Sequence, residues 1–169
     1  NPLRALEKQG VDVTYLPVSR GGQVAPETVR AAITPETLLV SVMHVNNETG
    51  VIQPVEEIGS IARQHGVLFH VDAVQGAGKS GLDVNKFNAD LLTLSAHKIH
   101  GPKGAGALYV RQGVGLQPLL HGGHQEGGHR AGTEHVAGIT GFAKALDIAR
   151  TELLSTDIRH HIAALRDRL

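Results

Sequence analysis

Cysteine is absent from all 169 residues. Without a thiol this stretch can form no disulfide, no thiolate metal site and no cysteine nucleophile of its own. Tryptophan is absent too, and two Tyr and three Phe are the only members of the large aromatics. So few rings make neither a base-stacking surface nor an aromatic sugar platform, and the core has to be aliphatic. Net charge is also lacking, because sixteen basic side chains balance sixteen acidic ones. Neither an overall field nor a basic stripe draws the chain toward nucleic acid or an anionic membrane. No apolar run reaches the roughly 18 residues of a membrane span, and no charged and then apolar leader opens the chain. Cytoplasm is the compartment these absences leave as the default.

What remains is ordinary globular composition, 41% hydrophobic and 19% charged, at a length that suffices for one domain with a core. Eleven histidines are many for this length, and they concentrate between His97 and His135. The chain begins at Asn1 without Met and stops at Leu169 inside a helical pattern. We expect a piece of a longer protein.

The patterning reads as alternating strands and helices. Pro2 to Lys8 has the look of a helix end closed by Gly10, Val11 to Val18 alternates like a strand, and Pro26 to Ile33 is a short helix opened by Pro. Leu38 to Val45 (LLVSVMHV) is a nearly continuous apolar run, as expected of a strand buried on both faces of a parallel sheet. Pro54 to His65 carries Val55, Ile58, Ile61 and Ala62 on one helical stripe, with Glu56 and Glu57 in its first turn and Gly66 as its stop. Val67 to Val71 is the next buried strand and Leu91 to Leu94 a third, so the sheet is parallel here. After a Ser95 to Gly104 loop, Ala105 to Arg111 returns too soon for a crossover helix and should run antiparallel. Gly113 to Gly132 is a glycine and histidine loop. Glu134 to Leu169 is helical, with Ile139, Phe142, Leu146, Ala149 and Leu153 on one stripe, and Ile158, Ile162, Leu165 and Leu169 on a second beyond a break at Ser155 to Asp157. The expected class is α/β, a three-layer α/β/α arrangement around a mainly parallel sheet. Residues 1–154 form one segment of it, and 155–169 begin a helix leading elsewhere.

In such a sheet ligands bind beyond the carboxyl ends of the strands. Those ends deliver Asn46 and Asn47, then Asp72 and Gln75, then Ser95, His97 and Lys98. Taken singly these have plain readings: Asp72 as a turn cap, the asparagines as turn formers, Lys98 and Lys103 as solvated loop lysines. Together they are too polar for a core and too varied for a metal cage. A lysine beside a hydroxyl, an imidazole and close-approach glycines can act as an amine nucleophile. Pyridoxal 5'-phosphate needs that amine for its aldehyde, an acid against its pyridine nitrogen, hydrogen bonds to its phenolic oxygen, and donors for its phosphate.

Four stretches, HVNNETG (44 to 50), HVDAVQ (70 to 75), SAHKIHGPKGAGALYV (95 to 110) and HRAGTEH (129 to 135), closely resemble the cysteine desulfurases, class V members of the fold-type I pyridoxal phosphate transferases. Lys98 follows Asp72 by 26 positions and Asp72 follows Asn47 by 25, as in the family. The resemblance implies a central segment of the large domain of a homodimeric enzyme. Such an enzyme turns L-cysteine into L-alanine and a protein persulfide, and so supplies sulfur to iron–sulfur scaffold or acceptor proteins and to thiolated tRNA. It further implies that Lys98 binds the cofactor aldehyde, that Asp72 faces the ring nitrogen, and that Asn47 and Gln75 hold the phenolic oxygen. Ser95 and His97 would hold the phosphate, and Thr133 would reach the phosphate of the partner subunit. Lys98 would be the proton shuttle, with His97 a second candidate. The family's ring-stacking histidine, persulfide cysteine and carboxylate-binding arginine come from other segments, so this stretch alone is expected to be inactive.

Three alternatives accompany that expectation. One is another enzyme of the class, such as a selenocysteine lyase or an aminotransferase. The second is a non-catalytic scaffold fragment. The third is a metal site on the HGGHQEGGH loop through His121, His124 and His129, although a glycine-rich loop lacks the rigidity of a metal-binding helix. The GPKGAG glycines lack the strand-to-helix setting of a nucleotide loop.

Overall fold

A computed structural model of the protein describes residues 2–154, 161 and 163–168. Four strands form one sheet in the order β1 (Leu39–Met43), β2 (Leu68–Asp72), β3 (Leu91–Ser95), β4 (Gly106–Val110). The first two pairings are parallel and the third is antiparallel, as the short return after Ser95 requires. Helices α1 (Pro2–Glu7), α2 (Pro26–Ala32), α3 (Val55–Gln64) and α4 (Val136–Leu154) accompany the sheet. This is the mixed, mainly parallel α/β class.

Helix α3 shows how local sequence sets the frame. Its first turn carries Glu56 and Glu57, whose charge complements the amino-terminal end of the helix dipole. Val55, Ile58, Ile61 and Ala62 are buried on one stripe. The helix ends at Gly66, whose φ of 68° costs a residue without Cβ nothing. There the Val67 amide donates to the Ala62 carbonyl at 3.0 Å and the Gly66 amide to that of Arg63 at 3.2 Å, closing the helix and turning the chain into β2.

Side chains on a strand alternate faces. Phe69 and Val71 on β2 and Leu92 on β3 therefore point together toward α3, joined by Val29 of α2, and Phe69 and Val71 are 0% exposed. The opposite face carries Ser41, Met43, His70, Asp72 and Thr93 in register. At the amino-terminal ends of β2 and β3, Asp90 stitches the sheet: Oδ2 accepts the Phe69 amide at 2.9 Å, and Oδ1 pairs with Arg111 at 3.2 Å.

Helix α4 packs on the loop beyond the carboxyl end of β3, burying Phe142, Ala145 and Ala149 against Ala77, Ala96 and Ile99. Small residues on both sides permit this approach, since a Cβ on Gly101 would stand 3.1 Å from the Ala145 methyl and one on Gly78 would stand 2.7 Å from that of Ala149. Of the expected stripe, Phe142, Leu146 and Ala149 join this contact, whereas Ile139 is left 48% exposed.

Two other expectations are corrected. Residues 11–18 extend without joining the sheet, and Val11, Tyr15 and Val18 are exposed, because alternation supplies no backbone partner of its own. Strand β1 is not buried on both faces: it lies at the sheet edge, and Leu39 and Met43 are exposed. The break at Ser155 to Asp157, with the domain boundary expected there, lies outside the described residues, as do Ile158, Ile162 and Leu169.

Candidate functional site

The carboxyl ends of β1, β2 and β3 open onto a cleft of about 230 Å³ lined by Met43, Val45, Asn47, Asp72, Val74, Gln75 and Lys98. Four of the residues expected there, Asn47, Asp72, Gln75 and Lys98, share it.

Each is presented by a local device. After β1 the ladder continues for one residue, the His44 amide donating to the Asp72 carbonyl at 2.8 Å. Asn46 then caps its own turn, its Oδ1 accepting from the Glu48 and Thr49 amides, both at 2.9 Å. That role occupies Asn46 and leaves Asn47 to the cleft. Asp72 is the last residue of β2, and its Oδ1 accepts the Val74 amide at 3.0 Å. A compact turn follows, in which the Gly76 and Ala77 amides both reach the Ala73 carbonyl at 3.0 Å, and this turn carries Gln75. The Gln75 Oε1 accepts from Lys79 Nζ at 3.4 Å.

Lys98 is positioned by a short 3-10 helix, Ala96–Ile99, within what sequence alone reads as loop. In a 3-10 turn residues i and i+3 share one side. Ala96 and Ile99 are both buried against α4, so the intervening His97 and Lys98 face away from that contact. His100, at φ 62°, and the Gly101 amide, bonded to the Ala96 carbonyl at 2.9 Å, close the turn. No ion pair among the described residues engages Lys98, so it shares a cleft with Asp72 without pairing to it.

The other expected residues stand elsewhere. Ser95 ends β3 and its Oγ lies 2.8 Å from Nδ1 of His97, but neither lines the cleft. Thr133 is exposed and also lies outside the lining. Met43, Val45 and Val74 were missed by sequence reasoning. Met43 could have been found, because it is the register neighbour of Asp72 on the same face of the sheet. Among the described residues no group of three or more His, Asp or Glu is placed to hold a metal ion, the histidine loop included.

Two histidines in this neighbourhood are perturbed. Burial pushes the pKa of His44 down. It is 4% exposed, its ring tilted by 60° against that of Phe87 at a centroid distance of 5.1 Å, and its Nδ1 is buried without a hydrogen bond. For His70, burial pushes the pKa down against an opposing pull from Asp72.

Comparison with known proteins gives the chain its family. The family model for class V aminotransferases matches residues 1–169, and the chain belongs to that family. Within the family the likeness is to cysteine desulfurases. The chain is 52% identical to cysteine desulfurase IscS of Methanosarcina thermophila over 97% of its own length and 40% of that protein's. It is equally 52% identical to cysteine desulfurase 2 of Trichormus variabilis, over 100% of its own length and 42% of the relative's. Among solved structures, one titled NifS-like protein superposes with a TM-score of 0.93 at 43% identity, covering 98% of this chain and 46% of the other. Another, titled SspA in complex with cysteine, gives 0.84 at 46% identity over 86% of this chain and 43% of that one. The chain spans about two-fifths of the length of the curated relatives it matches.

Proposed function

We propose that this chain is the cofactor-gripping segment of a pyridoxal-phosphate-dependent cysteine desulfurase. The observation that carries the reading is the single cleft that unites Asn47, Asp72, Gln75 and an unpaired Lys98. An amine and an acid that share a cleft without an ion pair are both available to a guest. The donor set fits pyridoxal phosphate, with Lys98 Nζ for the aldehyde, the Asp72 carboxylate for the ring nitrogen, and the Asn47 and Gln75 amides for the phenolic oxygen. When bound, that cofactor supplies an electron sink for the bond broken at the substrate's alpha carbon.

The chain's own residues do the rest. Asp72 would favour a protonated ring nitrogen, because a carboxylate stabilises the cation beside it. Lys98 Nζ would be the group that takes a proton from the substrate's alpha carbon and returns it. His97 is a second candidate for that transfer. Ser95 and His97, which are hydrogen-bonded to each other just outside the cleft lining, would hold the phosphate. Thr133 serves the phosphate of a partner subunit, a reading supported by its exposure outside the cleft lining. The site is then complete only in a homodimer.

The thiol that accepts sulfur must come from outside these 169 residues, which hold no cysteine. With it, L-cysteine becomes L-alanine and the thiol becomes a persulfide, the form in which sulfur passes to iron–sulfur scaffold proteins or to tRNA thiolation. A cytoplasmic compartment suits that chemistry. The similarity to IscS proteins and to a structure solved with cysteine supports cysteine over the selenocysteine lyase and aminotransferase alternatives.

Adding pyridoxal phosphate to the full-length protein tests the cofactor site. The expected result is a visible absorbance band, fixed by borohydride and lost in Lys98→Ala. Absence of any band would overturn the reading in favour of a scaffold.

A further inference from the structure

His70 stands two residues before Asp72 on β2, on the same face of the sheet. It is the centre of a polar clamp across three strands. Ser41 Oγ of β1 lies 2.8 Å from its Nδ1, and Thr93 Oγ1 of β3 lies 3.4 Å from its Nε2. Ser41 is the register neighbour of His70, and Thr93 is the register neighbour of Asp72. A neutral imidazole offers one N–H and one bare nitrogen, and a hydroxyl can meet either, so both tautomers are satisfied between these partners. The clamp ties β1, β2 and β3 together one step before β2 delivers Asp72 to the cleft.

A histidine so close to a working carboxylate is more than a strand tie. A charged imidazole there would draw on the Asp72 negative charge that the cofactor ring also needs. Burial opposes that charging and Asp72 favours it. The other residues of this face beside His70 are Leu39, Ser41 and Met43 from β1, and Leu91 and Thr93 from β3. None of them titrates. Asp72 is the charge that acts on His70 among the described residues.

Resting on the cofactor reading above, we propose that His70 is a positioning residue for Asp72. Held neutral between the Ser41 and Thr93 hydroxyls, it fixes the strand end that presents the carboxylate, and when charged it competes with the cofactor ring for that carboxylate. Coupling of this kind is reciprocal: if protonation of His70 weakens cofactor binding, cofactor binding lowers the proton affinity of His70. A residue with no electrostatic tie to Asp72 would show no such link.

The test follows the imidazole Cε1–H resonance of His70 by NMR in the full-length protein, identified by its loss in His70→Gln. Its titration midpoint is measured with and without pyridoxal phosphate, and in Asp72→Asn without cofactor. Removing the Asp72 charge should lower the midpoint by between about 0.5 and about 2. That range is expected of unit charges some 7 Å apart, the i to i+2 spacing of a strand, in an effective dielectric between water and about 20. Loading the unmodified protein should move it in the same direction. A midpoint unmoved by loading, with the absorbance band present, would overturn the proposal and leave the cofactor reading standing. A midpoint unmoved by Asp72→Asn would overturn it as well, and if that variant fails to fold the loading arm decides. No band in the unmodified protein would remove the cofactor reading and this proposal together.

Discussion

The two faces of one sheet divide the labour. Toward α3, strands β2 and β3 present Phe69, Val71 and Leu92, which are 0%, 0% and 3% exposed. On the reverse, the same strands and β1 present Ser41, His70 and Thr93, linked across the strands, and Asp72, which lines the cleft. Five residues per strand suffice for both tasks because successive side chains alternate. The backbone that buries the core thus fixes the spacing of the polar row, and function and stability can be altered separately. Changes on the α3 side should unfold the protein without altering its ligand preference, and changes on the reverse should do the opposite.

The largest effect is expected from Phe69→Ala. Emptying this fully buried site should cost about 3 to 5 kcal/mol of stability by urea unfolding, while the folded fraction keeps its pyridoxal phosphate affinity. Asp72→Asn should show the converse. Loss of a charge-assisted contact of roughly 1.5 to 3 kcal/mol should weaken cofactor binding by about 10- to 100-fold, leaving the urea midpoint close to that of the unmodified protein. A matched loss of stability in that variant would blur the division between the faces.

A smaller effect is tied to pH. The His44 pKa is lowered in the fold by burial, so below the ordinary histidine pKa of about 6.5 the unfolded chain binds more protons than the folded one. Stability is therefore fully present above that pH and falls as the pH drops toward the folded value, by at most about 1.4 kcal/mol per pH unit for one group. Urea midpoints at several pH values should show this slope, and His44→Leu should reduce it while removing a buried nitrogen that has no hydrogen bond. The smallest effect belongs to neither face. Breaking the exposed Glu27–Arg30 pair with Glu27→Ala should change the unfolding free energy by no more than about 0.5 kcal/mol.

The parts legible in the sequence were those with a strong period or a strong end signal. Strands β2 and β3 announced themselves as short apolar runs, α3 by its stripe and its closing Gly66, and β4 by a connection too short for a crossover helix. Asn47, Asp72, Gln75 and Lys98 followed once those strand ends were placed, because a parallel sheet gathers them at one edge. Pairing was less legible. Residues 11–18 have a strand's alternation and no neighbour to bond, and LLVSVMHV has a buried strand's composition at the sheet edge. The 3-10 turn that aims Lys98 was hidden because its signal is only two residues long, Ala96 and Ile99, and it takes meaning from the small residues of α4 that cover it. Thr133 is the residue least read from this fold, since its expected role lies in another subunit.

Which lysine pyridoxal phosphate modifies decides between the readings of this site. The most direct measurement loads full-length protein with pyridoxal phosphate, reduces it with borohydride, digests it and maps the modified residue by mass spectrometry. The label is predicted on Lys98 alone; a label on Lys79 or Lys103 in its place, or an unmodified Lys98 in protein that holds the cofactor, would contradict it.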